Sequence, residues 1–271
     1  MKIDSTDKHV WFVRHAESIQ NLDPQICWVP NEDIQLTSKG LQQAHELAEN
    51  STLKPDKIYI SPYKRTIRTA APYIAKLIEE DHYPMITVDK MLKEFNYYNT
   101  NIRDAVNACG NSDIFSKMID HYWNECNPYN SEGYKTENYV QFLSRVVSFM
   151  SQLLNITNNG TMVVFSHYYV ITCIRNLFEG SVDVDNLGSG NEIFDLPAIA
   201  DNIAHDETLL KEMLANNGWN NSDPIGNCQA LYIHLRPYSP TGTAYRVIDY
   251  KFTDRLEEIK DGTVGEDYLA E

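Results

Sequence analysis

Short apolar runs recur along the chain, and three of them stop at polar residues capable of chemistry. His9 to Val13 is apolar enough for a buried strand, and Arg14-His15 follows with no turn residue between. Lys57 to Ile60 predicts a second short strand ahead of Ser61-Pro62, which reads as a helix N-cap with proline at the first helical position. The helix runs on through Tyr63 to Ala70, with Arg65 in its opening turns and Arg68 three residues later on the same face. Thr161 to Phe165 is a β-branched apolar run ending in Ser166-His167. His45 to Glu49 fits a plain amphipathic helix. Asp206 predicts the cap of a helix through Asn217, with Gly218 just past its end. The apolar face of that helix, Leu209, Leu210, Met213 and Leu214, must bury against something, the core before a second subunit.

Ligands of α/β proteins bind at the carboxyl ends of sheet strands, where both His15 and His167 are expected. An arginine beside a histidine there suits a phosphoryl group, because guanidinium matches phosphate oxygens bidentately and imidazole is nucleophilic at neutral pH. The helix N-terminus after Ile60 faces the same rim and favours an anion. One such histidine would read as a solvated strand end; two of them joined by arginines point to phosphoryl chemistry.

On these residues the chain resembles the histidine phosphatase superfamily, the phosphoglycerate mutase-like proteins, and within it the larger branch. The nucleophile motif stands as Arg14-His15-Ala16-Glu17, with Ser18 and Asn21 following. Leu36-Thr37, Gly40, Gln43-Ala44 and Leu47-Ala48 fit the next segment, and Ser61-Pro62 through Arg65 to Thr69-Ala70 the one after. Leu92-Lys93-Glu94 resembles the acid segment, Glu137 and Arg145 a later helix, Ser166-His167 the last catalytic block and Asn227 the final strand.

The resemblance implies an α/β fold, a three-layer α/β/α sandwich with a mostly parallel central sheet and inserted cap segments. It also implies a phosphomonoester hydrolase that needs no metal or other cofactor. His15 would form a phosphohistidine while Arg14, Arg65 and a protonated His167 stabilise the equatorial oxygens. Glu94 would protonate the leaving oxygen and then take a proton from the attacking water. Asn21 would add an amide donor or serve as a turn residue. A phosphoglycerate-type mutase is the alternative within the same chemistry, and a non-catalytic phosphate-binding or scaffold protein the alternative outside it.

Three positions depart from the resembled pattern. Ala16 replaces a glycine, which matters only if the position needs a positive φ. Tyr168-Tyr169 replace glycines after the second histidine, and their rings should narrow the substrate wall, with Tyr168 as a binding residue. Arg68 adds a cation that contacts phosphate or pairs with a carboxylate.

With 271 residues, 42% of them hydrophobic, the chain can bury one sizeable core. Residues 1–253 read as one domain with cap insertions at about 95–136 and 180–226, and 254–271 as an acidic tail. The first insertion is rich in aromatics (Tyr97, Tyr98, Phe115, Tyr122, Trp123, Tyr129, Tyr134), which suit packing the cap or receiving a flat leaving group. Its cations, Arg103, Lys117 and Lys135, are few for a mutase. Most of the net charge of -15 falls in residues 179–223, where ten acidic side chains face Lys211 alone, and in the tail. Such acidity argues against nucleic acid or an anionic membrane as partner and leaves a phosphorylated small molecule or phosphopeptide as substrate. No run approaches the roughly 18 apolar residues of a membrane span, and Met1 to Lys8 lacks a signal peptide's apolar core. Five widely spaced cysteines read as plain thiols, and the expected location is the cytoplasm. Oligomeric state leaves no mark in the sequence.

Overall fold

The computed structural model describes residues 7–22, 31–96, 117, 121–131, 136–155, 160–188, 192–217, 225–238 and 244–257. Tyr97, Tyr98, Arg103, Phe115, Tyr134, Lys135, Gly218 and the tail from residue 258 lie outside them. Strands β1 (Lys8–Arg14), β2 (Lys57–Ile60), β3 (Met85–Val88), β4 (Gly160–Ser166), β5 (Ile193–Asp195), β6 (Ala230–Pro237) and β7 (Ala244–Thr253) join one sheet in the order β3-β2-β4-β1-β6-β7-β5. The first four pair in parallel, as expected. The last three add an antiparallel half. Between β6 and β7 only residues 238–243 intervene, too few for the crossover a parallel pair needs.

Helices α1 (Ser38–Asn50), α2 (Lys64–Glu79), α3 (Tyr139–Asn155), α4 (Tyr168–Glu179), α5 (Leu196–His205) and α6 (Glu207–Asn217) cover both sheet faces. Side chains of β1 alternate between them. Val10 and Phe12 join Phe142 of α3, Ile174 of α4 and Leu214 of α6, whereas Trp11 and Val13 join Leu47 of α1 and Tyr73 and Leu77 of α2. Burial on both faces explains why Val10 to Val13 are all apolar rather than alternating with polar residues.

Local signals set most boundaries. Thr37 caps α1 by accepting from the Gly40 N–H at 2.8 Å. A Cβ on Gly40 would lie 1.9 Å from the Glu17 carbonyl oxygen, so only glycine lets α1 approach the loop after His15 this closely. Asp206 caps α6, its Oδ1 accepting from Thr208 and Leu209 at 2.9 and 3.0 Å. The apolar face of α6 buries in the core through Leu210, Met213 and Leu214. With β5 paired to β7, the described part of segment 180–226 extends the sheet and covers its face.

One boundary differs from the sequence expectation. Helix α2 starts at Lys64 with Tyr63 at its N-cap, so Ser61-Pro62 form the preceding turn rather than the cap. Ser61 is fully buried, and its hydroxyl lies 2.7 Å from a ring nitrogen of His167, which removes it from the helix end.

Candidate active site

Three neighbouring parallel strands end level with one another. In the registers, Arg14 of β1 lies opposite Ser166 of β4, and Ile60 of β2 opposite Phe165. The ladder continues one residue further: His15 N–H donates to the Ser166 carbonyl and Ser61 N–H to the Phe165 carbonyl, each at 3.0 Å. His15, Ser61 and His167 are thereby held at one rim, the two imidazoles 5.3 Å apart between ring centroids.

His15 is buried, and its Nδ1 lies 2.8 Å from the Ala16 carbonyl oxygen. A carbonyl can only accept, so Nδ1 carries the proton and Nε2 keeps a lone pair. Arg65 Nε donates to that Nε2 at 3.2 Å. Burial, together with Arg65 and Arg14, holds the ring well below its ordinary pKa and hence neutral. Arg65 is itself buried, anchored by the Asn31 carbonyl at 2.6 Å and stacked over Tyr63 at 4.9 Å. Arg14 donates from Nη1 to the Ile225 carbonyl at 2.6 Å and lies 5.2 Å over the Tyr168 ring.

His167 is likewise held neutral, by burial and then by Arg65, His15, Arg145 and Arg14. The protonated His167 of the sequence reading therefore requires an anion among those cations. Arg14 Nε and His167 Nδ1 are both buried without a partner among the described residues.

Glu94 joins the same electrostatic cluster. Burial raises its pKa to about 7, against the opposing pull of Arg65, the Phe95 N–H, Arg14 and Arg145. Its Oε1 accepts from the Phe95 N–H at 2.9 Å and from the Tyr169 N–H, at the start of α4, at 3.2 Å. The loop that carries it is clamped from α3. Arg145 donates to the Met91 and Lys93 carbonyls at 2.6 and 2.8 Å and to Glu137 at 3.0 Å, while Glu137 accepts from the Asn96 N–H at 3.2 Å. Arg145 thus reaches both Glu94's loop and its carboxylate through space, which the sequence spacing alone does not reveal.

The remaining candidates divide. Asn21 uses its Oδ1 to accept from the Ser18 N–H and hydroxyl, both at 2.9 Å, so it organises the turn after His15. Arg68 is exposed and has no ion-pair partner among the described residues; the helix turns it away from Arg65's buried position. Ala16 is free of positive φ, and its N–H donates to Thr69 Oγ1 at 2.9 Å, so the missing glycine costs nothing. Tyr168 sits against Arg14, whereas Tyr169 stacks on Trp123 at 5.5 Å and meets Phe95 edge-on at 6.0 Å. Tyr122 and Trp123 of the first insertion are buried in the core, and Tyr129 is exposed.

Sequence reading missed the contribution of the main chain. The Ala16, Asn31 and Ile225 carbonyls orient His15, Arg65 and Arg14, and carbonyls carry no signal in residue identity. Asn227 also braces the loop at His15, its Nδ2 donating to the His15 carbonyl at 2.9 Å. Among the described residues no helix is long and apolar enough to cross a membrane.

A family model described as the histidine phosphatase superfamily (branch 1) matches residues 10–188. A comparison with curated protein sequences finds no significant match. Among solved structures, the α-ribazole phosphatase of Shigella flexneri is 16% identical, with a TM-score of 0.54 over 93% of this chain and 100% of that one. The Entamoeba histolytica phosphoserine phosphatase, in complex with 3-phosphoglyceric acid, is 15% identical, with a TM-score of 0.56 over 91% and 98%. A Bacillus anthracis phosphoglycerate mutase is 17% identical, with a TM-score of 0.54 over 93% and 95%. At these identities the likeness establishes a shared fold.

Proposed function

This chain belongs to the histidine phosphatase superfamily (branch 1), and from that premise we propose that it hydrolyses phosphomonoesters through a phosphohistidine on His15. The observation that carries the reading is the tautomer of His15, whose Nδ1 bond to the Ala16 carbonyl leaves the Nε2 lone pair facing Arg65. Nε2 attacks phosphorus as the ester P–O bond breaks. Arg14, Arg65 and His167 take up charge on the equatorial oxygens. Glu94, poised at a pKa of about 7, gives its proton to the leaving oxygen. Water then attacks the phosphohistidine, Glu94 accepts its proton, and orthophosphate leaves with His15 restored.

The substrate is a phosphorylated small molecule or phosphopeptide. Hydrolysis is favoured over mutase action because a mutase must retain a phosphorylated, carboxylate-bearing intermediate. The first insertion carries only Arg103, Lys117 and Lys135 as Lys or Arg cations, and Lys117, the one described, is exposed. Cys126, Cys173 and Cys228 are free thiols, which fits the cytoplasm.

The test is phosphate release from a panel of phosphomonoesters in the presence of a chelator, with 3-phosphoglycerate assayed alongside for mutase activity. His15→Ala should abolish both turnover and the acid-labile phosphoenzyme while keeping the melting temperature. More than a trace of residual activity would refute His15 as nucleophile.

A further inference from the structure

We propose that Ser61 is the positioning residue of His167: its hydroxyl holds Nε2, turns Nδ1 toward the phosphoryl oxygens, and lets the ring gain a proton when phosphate binds. This role rests on the phosphoryl-site reading of the rim but not on turnover.

Geometry is the first support. Ser61 Oγ and His167 Nε2 are 2.7 Å apart, and both residues are fully buried. With Nε2 engaged, Nδ1 is the ring's remaining polar atom. It is buried and unpartnered among the described residues, as is Arg14 Nε. Buried donors without acceptors are rare in native proteins, and two in one cationic cluster point to an anion.

The chemistry of the two partners is the second support. His15 is held by a carbonyl, which only accepts; its tautomer is locked, as a nucleophile requires. His167 is held by a hydroxyl, which both donates and accepts. It can donate to Nε2 of the neutral ring and, after rotation about the C–O bond, accept from Nε2–H of the imidazolium. The second histidine can therefore change charge without losing its partner.

The charged groups facing His167 make that change depend on the ligand. Arg14 and His15 come from the end of β1, Ser61 and Tyr63 from the turn after β2, Arg65 from α2 and Arg145 from α3. Glu94 on the acid loop is bonded to the N–H of Tyr169, two residues along. The cations oppose a proton on the ring until a phosphate dianion offsets them.

Inorganic phosphate binding tests the role, measured against pH for the wild type, Ser61→Ala and Ser61→Thr. The 15N signals of His167 are followed in parallel and identified by their absence in His167→Asn. In the wild type, phosphate should bring both ring nitrogens to the protonated shift. Ser61→Ala should bind phosphate about 10- to 100-fold more weakly at neutral pH. The pH at which its His167 loses the added proton should fall by about one unit. Ser61→Thr should restore both values if its melting temperature matches the wild type. Where the extra methyl destabilises that variant, the 15N shifts of Ser61→Ala decide alone. The proposal is overturned if Ser61→Ala leaves the ring shifts unchanged, or if it weakens binding equally at every pH with the same protonation midpoint. A wild type that takes up the proton with phosphate and loses that behaviour in Ser61→Ala, but hydrolyses no monoester, would refute the proposed activity and uphold Ser61.

Discussion

At neutral pH Glu94 is divided between its two protonation states, because burial brings its pKa from 4.5 to about 7. Protonation of an alkoxide-like leaving group needs the acid form, so kcat/KM for alkyl phosphates should fall as pH rises through about 7. Activated aryl esters depart without a proton and should keep a flatter profile. Glu94→Gln should accordingly slow alkyl esters far more than aryl esters, and equal losses on both would make Glu94 a positioning residue. The same shift acts on stability. A folded pKa above the unfolded one gives stability that is fully present below about 4.5 and lost as pH rises through about 7. Glu94→Gln should therefore be more stable than wild type at pH 8 by at most about 3 kcal/mol, with the difference gone near pH 4.5. Thermal unfolding at the two pH values reads this directly. The identity of Glu94, His15 and the arginines was legible from short motifs; their protonation states were not, because burial and neighbouring cations set them.

The start of α4 shows how two adjacent residues of one type acquire different tasks. Successive helical positions are about 100° apart, so Tyr168 meets Arg14 while Tyr169 meets Trp123 and Phe95. Tyr169→Ala, at a partly buried position, should lower stability by about 1 to 3 kcal/mol, with substrate range little changed. Tyr168→Ala should instead weaken orthophosphate inhibition severalfold by releasing Arg14 from its ring, with a smaller loss of stability. Denaturant unfolding and phosphate inhibition separate the two, and reversed effects would exchange the roles. The turn after β2 makes the complementary point. Ser-Pro ahead of a helix reads locally as a cap, yet Ser61 faces a histidine 106 positions away, a partner no local signal announces.

Across the whole molecule, sheet order does the assembling. Strands β2, β4 and β1 are adjacent although they are distant in sequence, and their level carboxyl ends bring Ser61, His167 and His15 together. The described part of segment 180–226 belongs to that architecture through β5 and the buried face of α6. Leu214→Ala, at a fully buried position, should cost about 2 to 5 kcal/mol and shift one cooperative unfolding transition. A separate low-stability transition would make the segment an independent cap. The sequence by itself marked strands β1, β2 and β4 and set His15 with Arg14, Arg65 and His167 at or just beyond their carboxyl ends, and the family resemblance added Glu94 and the parallel sheet. Apolar runs, strand-end polarity and motif spacing are properties of the chain read in order. Only the tertiary structure decided the antiparallel half, the carbonyl and hydroxyl partners of the two imidazoles, the Arg145 clamp and the pKa of Glu94. Those depend on contacts between distant segments and on the exclusion of water, and neither is written in any local stretch of residues.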